Sequence, residues 1–270
     1  MSGVGSSSGS ITKSGTGSLI FSGTNTYTGA TTITAGTLSV ATIGNGGVAG
    51  NLGAATNASS NLVLGGGTLM YTGTTAATDR NFILTNATTS TINVVANTLT
   101  WNGSSTSTTG AITKSGAGTL VWSGTNLYSG LTTVSAGILQ LGNSNALGTT
   151  ASTTIVLGAT VDLNGYSTAE LFTISGSLIN NSGTATVSGA IVLSTAAIFG
   201  GSATLTATGV ISGSGTLTKS GAGSLIISGI NTYTGATTIS VGVLKLSSTT
   251  ALGTSPQKLS PDKNSEIPTQ

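Results

Sequence analysis

Few side chains in this 270-residue sequence can do chemistry. Histidine and cysteine are both absent, which removes the commonest general base, the commonest metal ligand and every thiolate. Before residue 254 the carboxylates are Asp79, Asp162 and Glu170. Two carboxyl groups roughly 5 to 9.5 Å apart would suit glycosidic hydrolysis, and Asp162 and Glu170 could meet across a turn. Asp79 lies far from both in sequence and adjoins Arg80, which could neutralise it. The plainer expectation is that all three are solvated loop residues. Three lysines, Lys13, Lys114 and Lys219, share one repeat position. They could form a row of cation sites, but they read better as outward-facing strand residues that maintain solubility and discourage edge pairing. Asn25, Asn126 and Asn231 each stand two residues before a tyrosine: Tyr27, Tyr128 and Tyr233. Ligand binding is conceivable for the asparagines and stacking on sugar rings for the tyrosines. A turn role for Asn, tolerant of left-handed geometry, and corner packing for Tyr are the expected roles. No phosphate loop and no aspartate-rich calcium repeat occurs, so no catalytic group, metal or cofactor is expected.

The elements that must position these residues come from internal repetition. Three segments align without gaps: KSGTGSLIFSGTNTYTGATTITAGTL from Lys13, KSGAGTLVWSGTNLYSGLTTVSAGIL from Lys114 and KSGAGSLIISGINTYTGATTISVGVL from Lys219. Their starts are 101 and 105 residues apart. Within each segment Gly-x-Leu recurs after 19 residues, at Leu19 and Leu38, Leu120 and Leu139, Leu225 and Leu244. A period of roughly 20 residues fits one rung of a β-solenoid, so the long unit spans about five rungs. In the third segment Leu225–Ile227 and Thr237–Ile239 read as strands, and Val243–Leu246 begins the next rung, with Leu244 and Leu246 inward and Lys245 toward water. No helical apolar period appears.

The shared string G-x-G-x-L-x-x-S-G-x-N-x-Y-x-G-x-T-T resembles the autotransporter-associated β-strand repeat, also called the passenger-associated transport repeat. Its motif residues here include Asn25, Tyr27 and Gly29, then Asn126, Tyr128 and Gly130, then Asn231, Tyr233 and Gly235. The resemblance implies an all-β fold, a single-stranded right-handed parallel β-helix. It also implies a secreted or surface-exposed bacterial passenger that aids export and outer-surface folding rather than catalysis. The signal peptide and membrane barrel of such proteins have no counterpart in this sequence.

Composition agrees with a thin solenoid. Charged residues are 4% of the chain and aromatics 4%, whereas roughly 25% charge is usual for globular proteins. The seven basic residues are scattered, so a nucleic-acid partner is not expected. Membrane insertion is not expected either, because no apolar run approaches the ~18 residues that span a bilayer. Residues 1–10 read as a flexible lead and residues 11–253 as one β-helix, with Gly44 to Ser60 as a side loop. Residues 254–270, which hold all three prolines, read as an extended tail. The expected function is a non-catalytic extracellular rod: a stalk, spacer or adhesive scaffold. Its possible partners are a surface glycan or a host-cell surface. A filament subunit stacking head to tail through uncapped ends is the alternative, and a polysaccharide-active enzyme is the least favoured.

Overall fold

The structure, a computed structural model, describes residues 8–149 and 152–254. The expectations for residues 1–7 and 255–270 lie outside that range. The chain divides into two units, Met1–Ala151 and Ser152–Gln270. Each is a parallel β-solenoid. Among the described residues the one helical element is a single 3-10 turn, Ser59–Asn61.

In the first unit three parallel ladders form the faces of the coil. One carries Ile11–Lys13, Thr31–Ile33, Leu62–Leu64 and Ile83–Leu84. The second runs Ser18–Phe21, Thr37–Val40, Thr68–Tyr71, Thr89–Val94, Ala111–Ser115, Thr132–Val134. The third runs Ala76–Thr78, Thr98–Trp101, Thr119–Trp122, Ile138–Leu141. The second unit has the same plan. Its ladders start at Ser152–Ile155, Thr160–Asp162 and Thr184–Val187.

The strands form because short Thr, Val, Ile and Leu strings alternate between faces. Burial follows that alternation: in Thr98–Trp101 and Thr119–Trp122 every second side chain is buried. Registry puts like on like. Leu19 lies beside Leu38, Leu120 beside Leu139, and Leu225 beside Leu244. Successive strands of a ladder lie about 4.8 Å apart, so these leucines make continuous apolar columns. Trp101 and Trp122 stack in register, and Phe82 meets Trp101 edge-on with centroids 5.6 Å apart. Phe82, Trp101, Trp122 and Tyr128 thus form one aromatic cluster in the first unit's core, while Phe172, Phe199 and Tyr233 are buried in the second unit.

The rung count between the first two copies differs from expectation. The strand Ser18–Phe21 of the first copy and Ala111–Ser115 of the second lie in one ladder, four steps apart. These are the second and first strands of their copies. From the first copy to the second the chain therefore advances four rungs and one face, not five whole rungs. The reason is the side loop. No strand lies between Val40 and Leu62, so the rung from Leu38 to its register partner Leu69 takes 31 residues.

Candidate functional site

The lysines shared by the repeats do not face water. Lys13, Lys114 and Lys219 are 6%, 0% and 1% exposed, which corrects the outward-facing expectation. Lys13 and Lys219 end their strands and Lys114 is the penultimate residue of Ala111–Ser115. The alternation turns each inward, and each ammonium donates to three main-chain carbonyls. Lys114 Nζ reaches Ser115 O at 3.0 Å, Gly116 O at 2.9 Å and Ala136 O at 3.0 Å. Lys13 reaches Ser14 O, Gly15 O and Ala35 O. Lys219 reaches Ser220 O, Gly221 O and Val241 O. Two acceptors come from the lysine's own turn and the third from the following rung. The glycine after that third carbonyl is left-handed, with φ of +65°, +65° and +83° at Gly36, Gly137 and Gly242. That geometry folds its turn over the ammonium and needs glycine. Burial pushes the Lys114 ammonium down to about 8 and lowers that of Lys219. The three carbonyls work against that shift by favouring the cation.

The asparagines act chiefly between rungs, with Asn126 Nδ2 also donating to Gly124 O in its own turn. Asn126 Oδ1 accepts from Ser105 N, one rung before, and Asn126 Nδ2 donates to Ala146 O, one rung after, at 3.0 and 2.7 Å. Asn231 bridges Ile211 N and Ala251 O in the same way. Asn25 Nδ2 donates to Asn51 O. None of the three is left-handed; that conformation falls on Ala87, Asn97 and Asn164. Each tyrosine is buried, which removes its ring from any sugar outside. Its hydroxyl shares a hydrogen bond with the threonine four residues on: Tyr27 with Thr31, Tyr128 with Thr132, Tyr233 with Thr237. Between them stands Gly29, Gly130 or Gly235. A Cβ on any of these would strike the carbonyl oxygen of Gly9, Gly110 or Gly215 one rung below.

A second motif completes the corner. Asn51-Leu52-Gly53, Ala146-Leu147-Gly148 and Ala251-Leu252-Gly253 supply the carbonyls that the three asparagines grip. The residue after each of these glycines donates its N–H to the tyrosine carbonyl, from Ala54, Thr149 and Thr254. The recurring Leu-Gly pair was a legible signal. The first copy was obscured because the side loop displaces it.

Arg80 is the group that holds the loop. It is 2% exposed. Its guanidinium donates to the carbonyls of Gly44, Val48, Gly53 and Ala55, so its main work is not neutralising Asp79. Asp79 instead accepts from Gly46 N at 2.7 Å. The Trp101 indole N–H caps Arg80 O at 2.7 Å.

Asp79 is half-buried, and the other two carboxylates are not solvated. Asp162 is 2% exposed and Glu170 8%. Asp162 ends an inward strand, Thr160–Asp162, and accepts from Asn164 N, Asn181 N and Asn181 Nδ2 at 3.0 to 3.2 Å. Glu170 precedes Leu171–Ile174 and accepts from Thr153 Oγ1 at 3.1 Å. Burial pushes its carboxyl up to about 7, partly offset by that hydrogen bond. The arrangement spends these groups on main-chain and side-chain donors of neighbouring rungs.

The sequence profile described as Passenger-associated-transport-repeat matches residues 11–40, 112–141 and 217–246. These are the three segments that carry the lysine cage, the asparagine bridge and the tyrosine corner. The chain is also similar to the adhesin BmaC autotransporter of Brucella suis biovar 1 (strain 1330), with 41% identity over 226 residues. That alignment covers 81% of this chain and 6% of the relative, so the chain spans a small part of that protein's length.

Proposed function

This chain is a passenger-associated-transport-repeat protein, and on that premise we propose that it is a non-catalytic scaffold segment of an adhesin-like passenger, secreted or held at the cell surface. The observation that carries this reading is the use made of its ionisable side chains. All three repeat lysines, Arg80, Asp162 and Glu170 are buried and bonded to the main chain or side chains of adjacent rungs. What the coil presents outward is Thr, Ser and scattered apolar residues. Parallel ladders bonded in this way give reach and resistance to unfolding. The resemblance to an adhesin autotransporter supplies the adhesive part of the proposal.

The test is to place residues 8–254 upstream of an autotransporter translocation barrel and display them on a non-adherent bacterium. A protease-resistant surface segment is expected, with increased attachment of the displaying cells to cultured host cells. Display without increased attachment would reduce the role to a spacer. Failure to reach the surface would remove the proposal.

A further inference from the structure

The side loop brings one reactive dipeptide against a carboxylate. Asn45-Gly46 is one of three Asn-Gly pairs, with Asn102-Gly103 and Asn164-Gly165. In any such pair the glycine nitrogen can attack the asparagine side-chain carbonyl carbon and close a five-membered succinimide. At Asn45 both partners of that reaction touch one residue. Gly46 N–H donates to Asp79 Oδ1 at 2.7 Å, and Asp79 N–H donates to Asn45 Oδ1 at 3.1 Å. The first contact sets a base on the nucleophile. The second sets a donor on the oxygen that takes up charge in the tetrahedral intermediate. Thr78 Oγ1 and Arg80 Nε both donate to Gly44 O, so residues 44–46 are held against residues 78–80 and the contacts are pre-formed. Asn45 is exposed, which lets ammonia leave and water enter. Packing also retains the glycine, because a Cβ on Gly46 would strike the main-chain nitrogen of Asn57.

We propose that Asn45 is a self-modification site, deamidated through a succinimide with Asp79 as the base. Asp79 takes the proton from Gly46 N as the bond from that nitrogen to Asn45 Cγ forms. The bond from Cγ to Nδ2 then breaks, and ammonia leaves with that proton. Water opens the imide to aspartate or isoaspartate, and no oxidation or reduction occurs. The product places a second carboxylate beside Asp79. The isoaspartyl form also lengthens the main chain by one methylene between two anchored points, Gly44 O and Gly46 N–H. Deamidation therefore turns a neutral, pinned loop into a negatively charged, loosened one as the protein ages.

Peptide mapping by mass spectrometry of the purified chain, incubated near neutral pH, reads all three asparagines at once. Gly165 N–H donates to the neutral amide of Asn180, and among the described residues no carboxylate accepts from Gly103 N–H, so Asn164 and Asn102 serve as internal references. Asn45 is expected to convert at least about tenfold faster than either, and Asp79→Asn should bring it down to their rate. In concentrated urea the three rates should converge, an arm that needs no variant and stands even if Asp79→Asn misfolds. Equal rates in the folded chain, an unchanged rate in Asp79→Asn, or an advantage that survives urea would each overturn the assignment.

Discussion

At the scale of single residues, the lysine of each repeat is a buried cation whose partners are carbonyls rather than carboxylates. An isolated buried charge is costly unless hydrogen-bonded, and here three acceptors meet one ammonium. Replacing Lys114 with Met keeps the apolar stem but leaves the carbonyls of Ser115, Gly116 and Ala136 without their donor. Lost hydrogen bonds to a charged group, with acceptors left behind, cost about 2–4 kcal/mol. The Lys114→Met chain should therefore unfold at a clearly lower urea concentration at pH 7. An unchanged midpoint would mean that the ammonium contributes little beyond its stem.

At the scale of elements, each repeat is a device of two consecutive rungs. Lysine, asparagine and tyrosine each complete their bonding on the next rung, and the Tyr-x-Gly glycine rests on the previous one. Gly130 shows the constraint most directly, since its missing Cβ is what allows the chain to lie on Gly110. Overpacking of this kind costs about 1–3 kcal/mol. In a solenoid such damage stays among nearest neighbours. Gly130→Ala should thus lower amide-exchange protection in Ala111–Ser115 and Thr132–Val134. Protection should persist in Ser18–Phe21, four strands along the same ladder.

At the scale of the whole molecule, twelve charged residues leave stability dependent on a few buried groups. Glu170 titrates within the physiological range. Its folded value, about 7, lies above the ordinary 4.5, so the folded chain binds a proton more readily than the unfolded chain between those values. The associated stability is complete below pH 4.5 and is lost as pH rises through 7. Unfolding free energy should fall by about 1–3 kcal/mol between pH 4 and pH 8. In Glu170→Gln, which stays neutral throughout, that decline should vanish. The burial of Lys114 acts in a separate window. Its lowered value of about 8 against 10.5 makes stability rise with pH above 8, so the two groups are separable in one titration of stability against pH.

The sequence by itself determined the parallel coil, its rung of roughly 20 residues and the equivalence of the three segments. Periodicity survives in one dimension: Leu19 and Leu38 must align if the chain winds on itself, and they do. It also placed the side loop, because residues 44–60 lack strand-forming strings. The direction of a charged side chain was not legible. A lysine beside Ser and Gly reads as solvent-facing, because the carbonyls that receive it belong partly to a rung some twenty residues later. The same holds for Asp162, Glu170 and the bridging asparagines, whose partners exist only once rungs are stacked. Nor was the loop's length convertible into the face on which the second copy begins. Only the tertiary structure decided these matters, because each depends on which main-chain groups lie about 4.8 Å above and below, and that neighbourhood arises through winding rather than through sequence adjacency.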